Sequence, residues 1–116
     1  MTHYTGSCHC GAVKYSVELD LTQPVLECNC SHCQRKGFLL SFVPASSFEL
    51  LSGDETMTEY RFNTHKIRHR FCPKCGVQCF GEGEHEGHAT RAVNVRTIED
   101  IDLSTLTRQP VDGKSF

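Results

Sequence analysis

Residues 7–19 read SCHCGAVKYSVEL, and this stretch joins the two features on which the fold turns. Its second half alternates, with Val13, Tyr15, Val17 and Leu19 on one face and Lys14, Ser16 and Glu18 on the other. A period of two is that of a strand with one buried face. Its first half sets Cys8 and Cys10 one residue apart and ends in Gly11. Two sulfurs at a turn form half of a metal site, and a glycine just after them can take the left-handed conformation that a tight turn requires.

The other half stands far downstream, in CPKCG at residues 72–76, where Cys72 and Cys75 precede Gly76. A structural zinc takes four ligands in a closed tetrahedron. Cys8, Cys10, Cys72 and Cys75 are therefore assigned to one closed site that ties the N-terminal strand to the later knuckle. Spacing alone leaves open another pairing, in which the middle cysteines share the closed site.

The eight cysteines could instead form disulfides, and the compartment decides, because cytosolic thiols are kept reduced. The start, MTHYTGSCHCGAVKYSVELD, has no continuous apolar h-region, and the longest apolar run, FLLSFV at 38–43, is too short to span a bilayer. A cytoplasmic protein with no membrane partner is expected, its cysteines read as thiolates on metal.

The stretch CNCSHCQRKG, residues 28–37, raises a different question, because Cys28, Cys30 and Cys33 are three sulfurs where a closed site wants four. A catalytic zinc keeps three protein ligands and leaves one position open. With three thiolates the protein part of such a site carries a net charge of about −1, since the ion brings +2. The rival for the fourth position is Cys79 in VQCF, which reads more simply as a small buried hydrophobe in a strand. His32 lies inside the turn, as a proton carrier or an exposed turn residue, while EHEGH at 84–88 reads as a polar loop.

Further strand candidates are FLLSFV, read as fully buried and ending at Pro44, KIRHRF, RAVNVRT and the shorter SFELLS, TEYRF and VQCF, with SGDE and GEGEHEGH read as turns. No stretch of ten or more residues keeps a 3.6 period, so the chain reads as mainly β with at most short helical turns. No repeat or linker divides the 116 residues, and a single domain over 1–116 is expected. A net charge of −2 offers no basic field, and no nucleic-acid partner is expected.

Four stretches together, GSCHCGAVKYSV, CNCSHCQRKG, FCPKCG and VNVRTIED, resemble the family of glutathione-dependent formaldehyde-activating enzymes, whose domain is shared with centromere protein V. The resemblance implies a β-tent fold in which a structural zinc joins the N-terminal and C-terminal cysteine knuckles. It implies that Cys8, Cys10, Cys72 and Cys75 hold this structural zinc and that Cys28, Cys30 and Cys33 hold a second, catalytic one, two Zn2+ per chain. The implied activity is that of a carbon-sulfur lyase acting on a glutathione-type thiol and a formaldehyde-type aldehyde. Arg35 and Lys36, just beyond the ligands, could hold the carboxylates of such a tripeptide. The competing reading is a non-enzymatic zinc scaffold or interaction module in which Cys79 closes the second site.

Overall fold

The alternating stretch forms the middle of a small sheet. A computed structural model describes residues 2–62 and 67–113. Along the chain run β1 (Thr2–Ser7), β2 (Lys14–Leu19), β3 (Val25–Cys28), α1 (Ser31–Lys36), β4 (Leu40–Pro44), β5 (Phe48–Ser52), β6 (Thr58–Tyr60), β7 (Arg68–Phe71), β8 (Phe80–His85), β9 (His88–Asn94) and β10 (Arg108–Val111). Three short 3-10 turns, at Ala45–Ser47, Val95–Thr97 and Leu103–Thr105, complete the described elements. The expected mainly β architecture is observed.

The strands form two sheets, β1-β2-β5 and β10-β3-β4-β9-β8-β7-β6. Val13, Tyr15, Val17 and Leu19 are each 2 % exposed or less, so the face predicted by alternation is the buried one. Burying such a side chain stabilises by roughly 1.5–3 kcal/mol. Two contacts lock the sheets together. Phe48 of β5 stacks on Tyr15 at 5.2 Å and meets Phe80 of β8 at 4.6 Å, and the Tyr15 hydroxyl shares a 2.7 Å hydrogen bond with Thr97.

Three segments depart from the sequence reading. FLLSFV is not wholly buried, because β4 leaves Phe42 55 % exposed; folded proteins routinely keep apolar side chains on their surface. In KIRHRF, Lys66 falls outside the described residues, His69 is buried and Ile67 is 49 % exposed. GEGEHEGH is a hairpin rather than a loop: β8 and β9 pair from Phe80↔Val93 to His85↔His88 around Glu86 and Gly87, both with positive φ. That is the backbone of a type I′ turn, whose twist matches the flanking strands. Strand β8 thus begins at Phe80, and Cys79 lies just before it.

The strands β1, β3 and β10 have no strong alternation, and long-range pairing makes them. β10 runs parallel to β3, with Val111 opposite Cys28. The two segments are more than 80 positions apart in the chain, and their pairing brings the C-terminal residues onto the loop that carries the three middle cysteines.

Candidate metal centres

The two cysteine pairs fold into matching knuckles. In the first, the Cys8 N–H donates to Val13 O at 3.0 Å; in the second, the Cys72 N–H donates to Val77 O at 3.1 Å. Gly11 and Gly76 sit inside these loops at φ 83° and 78°, a conformation costly for other residues. The knuckles face each other, and the four sulfurs of Cys8, Cys10, Cys72 and Cys75 lie within 4.8 Å of one another.

This geometry suits a tetrahedral ion. With Zn–S near 2.3 Å, a regular tetrahedron has edges of about 3.8 Å. The Cys8–Cys10 and Cys10–Cys72 sulfurs stand 3.7 and 3.6 Å apart. Backbone donors are also aimed at the sulfurs, the Val13 N–H reaching Cys8 Sγ at 3.3 Å. Burial disfavours the Cys75 thiolate, but the N–H groups of Cys10 and Val77, with the thiols of Cys8 and Cys72, hold its pKa down to about 6. At Cys10 the Ala12 N–H pulls downward and is outweighed by Cys72, burial and the other thiols, which push it up to about 11. Four sulfurs this close cannot all ionise alone, and a divalent cation removes that conflict.

The second group is local. Cys28 ends β3, Cys30 is the N-cap of α1, and Cys33 lies in its first turn. Cys30 Sγ accepts from the Cys33 N–H at 3.3 Å, and Gly37, left-handed at φ 69°, ends the helix with its N–H on Cys33 O. The three sulfurs lie within 4.8 Å of one another and all three residues are half-buried. Burial pushes Cys33 above the ordinary thiol range, with the neighbouring Cys30 and Cys28 adding to it. Cys30 moves the other way, because hydrogen bonds from Cys33, Cys28 and His32 outweigh its burial.

Backbone comes close to this group from the C-terminal side. A Cβ on Gly113 would lie 2.3 Å from Cys28 Sγ and 3.0 Å from Cys30 Cβ, so glycine is what allows the chain just after β10 to pack against these cysteines. The soft three-sulfur donor set and this fitted cradle both suit zinc. Among the described residues, Cys79 belongs to neither group. It is 1 % exposed, burial drives its pKa to about 12, and the sulfurs that act on it are Cys8, Cys75 and Cys72. Cys79 therefore sits beside the four-sulfur group and leaves the three-sulfur group unclosed.

Helix α1 separates two cavities. One, of about 420 Å³, is lined by Cys28 and Cys33 together with Asn29, Gln34, Arg96 and Asp112. The other, of about 780 Å³, is lined by His32, Arg35, Lys36, Tyr60, Phe62 and Phe71. Arg35 and Lys36 thus border the cavity without cysteines, and the cationic residue that lines the cavity of Cys28 and Cys33 is Arg96. Sequence reasoning did not single out Arg96 or Gly113, although Arg96 lies within the quoted VNVRTIED. His32 is half-buried rather than an exposed turn residue, its ring 4.2 Å from that of His69.

These features define a mainly β protein with a four-sulfur group between distant strands and a three-sulfur group at a cavity wall. The profile of the glutathione-dependent formaldehyde-activating enzyme family matches residues 3–111. The chain belongs to that family. It is also similar to a Rhodobacter sphaeroides protein of known crystal structure, at 29 % identity and a TM-score of 0.81, over 92 % of this chain and 99 % of the other. The β-tent arrangement is thereby established, and the two cysteine groups fit a zinc-binding protein of this type. Among the described residues no helix is long and apolar enough to cross a membrane.

Proposed function

We infer that residues 1–116 act as one zinc domain with carbon-sulfur lyase activity, forming or cleaving the S-hydroxymethyl adduct of a glutathione-type thiol and a formaldehyde-type aldehyde. The observation that carries this reading is the division of seven cysteines into a group of four and a group of three, with Cys79 outside both. In this reading Cys8, Cys10, Cys72 and Cys75 would hold a structural Zn2+, and Cys28, Cys30 and Cys33 would hold a catalytic Zn2+ beside the substrate thiol.

Bound there, the ion supplies Lewis-acid stabilisation of a thiolate. The chain's own residues supply the rest. Cys28, Cys30 and Cys33 bring three sulfurs within 4.8 Å of one another, and the Cys33 N–H in the first turn of α1 fixes the Cys30 sulfur. The cavity beside them, about 420 Å³, falls in the range of small-molecule sites, roughly 300–1,000 Å³. In the forward direction a sulfur–carbon bond forms as the carbonyl π pair moves to oxygen, and the proton lost by the thiol ends on that oxygen. The reverse step cleaves the adduct to the free thiol and aldehyde.

The uncatalysed addition is itself quick, so the test must measure exchange at equilibrium. NMR magnetisation transfer between formaldehyde hydrate and S-hydroxymethylglutathione is expected to speed up with the protein and to return to the enzyme-free rate with Cys30→Ser. An enzyme-free rate with the zinc-loaded wild type, across a panel of thiols and aldehydes, would favour the scaffold reading.

A further inference from the structure

Three places outside the cysteine groups have chemistry that the proposed function does not absorb. The large cavity behind α1 combines aromatic rings with Arg35 and Lys36, but contains no cysteine. The apolar depression around Phe42, Ile67 and Ala92 has nothing that identifies an occupant. The third place is Arg96, which lines the same cavity as Cys28 and Cys33.

The position of Arg96 is built by the fold. Val95 is 0 % exposed and anchors the 3-10 turn Val95–Thr97, whose N-cap Asn94 accepts the Arg96 N–H through its side chain. Among the described residues the Arg96 side chain is then held at one nitrogen. Its Nε–H donates to Gly37 O at 2.8 Å, the carbonyl at the left-handed end of α1. That bond orients the guanidinium, and among the described residues neither terminal NH2 group has a hydrogen-bond acceptor.

The acidic groups of the same cavity are otherwise engaged. Glu27 pairs with Arg108 at 3.2 Å, and the Asp112 carboxylate accepts from the Asn29 amide at 3.1 Å. Among the described residues no carboxylate forms an ion pair with Arg96. A guanidinium fixed at Nε and open at its two ends is suited to bidentate recognition of a carboxylate.

We propose that Arg96 is the carboxylate anchor of this cavity, selecting thiols that carry a carboxylate over neutral thiols for binding at Cys28, Cys30 and Cys33. This deepens the proposed function and rests on its reading of the three-cysteine group as a thiol site. Arg35 and Lys36, on the far side of α1, have no part in this selection. Because Arg96 is exposed, the preference is moderate and weakens as salt screens the pair.

The test is calorimetric titration of the zinc-loaded protein with two matched pairs, 3-mercaptopropionate against 3-mercaptopropionamide and glutathione against its diethyl ester. At low ionic strength the carboxylate form of at least one pair is expected to bind three- to tenfold more tightly, with the ratio falling in 0.5 M salt. Arg96→Gln should abolish that ratio and leave the affinity of the neutral form unchanged, while Arg35→Gln should preserve the ratio. Melting curves of both variants verify folding. Equal binding of charged and neutral forms in the wild type, or a ratio that survives Arg96→Gln, overturns the anchor while the thiol site stands. Absence of heat with every thiol overturns the anchor and the thiol site together.

Discussion

The four-sulfur and three-sulfur groups use the same ligand atom and differ in how the chain delivers it. In the first, the Cys10 and Cys72 sulfurs are neighbours although 62 positions separate them, and each cysteine pair stands at the end of a strand. In the second, all three sulfurs come from one β3-to-α1 connection, between Cys28 and Cys33. An ion in the first place closes a long loop and pins the small sheet to the large one. An ion in the second closes almost nothing. Since metal binding at a site absent from the unfolded chain is folding free energy, an ion at the first group would serve stability, which under the proposed function leaves the second for chemistry.

Breaking one ligand in each group gives the sharpest contrast. Structural zinc contributes on the order of 10 kcal/mol in small domains, so Cys72→Ser is expected to yield unfolded or insoluble protein. Cys30→Ser should remain folded, because serine is itself a favoured N-cap and can accept the Cys33 N–H that caps α1. Circular dichroism melts and zinc stoichiometry check both, and equal unfolding of the two variants would erase the contrast.

A backbone test has a smaller effect. Gly113→Ala forces a methyl against Cys28 Sγ, an overpacking cost of about 1–3 kcal/mol. The expected result is at least a tenfold loss of zinc affinity at the three-cysteine group, read by competition with a chromogenic chelator, while the zinc equivalent of the four-cysteine group stays bound. Unchanged affinity for both ions would show that the C-terminal segment does not seat against the sulfurs.

Cys79 offers the next contrast. Removing its sulfur from the core should cost about 1 kcal/mol, and Cys79→Ala should retain both zinc ions. Loss of one equivalent would make Cys79 a ligand and undo the division into four and three.

The last contrast concerns pH. Burial, with His32 and Lys36 nearby, lowers His69 from 6.5 to about 4. Between those values the unfolded chain binds the proton that the folded chain refuses, so stability is full above about pH 6.5 and declines as pH falls toward 4. His69→Gln should flatten that decline in chemical denaturation at constant zinc. A slope equal to that of the wild type would remove His69 as its source.

The grouping of the cysteines was legible in the chain because a C-x-C or C-x2-C turn is a local object, complete within a few residues. The same holds for the β2 face, where Val13, Tyr15, Val17 and Leu19 follow a period that needs no knowledge of a partner strand. The glycines of GEGEHE concealed β8, since glycine is disfavoured in strands and only pairing with β9 overrides that preference.

By itself, then, the sequence determined a mainly β chain, its principal buried face and three sets of closely spaced sulfurs. Tertiary structure decided which sets meet, that Cys79 stays in the core, and that Arg96 rather than Arg35 or Lys36 shares a cavity with Cys28 and Cys33. It also decided that Gly113 closes over Cys28. The physical reason is distance along the chain: spacing and periodicity encode what neighbouring residues do, whereas the β10–β3 pairing and the Arg96–Gly37 bond join segments whose proximity exists only once the sheets have formed.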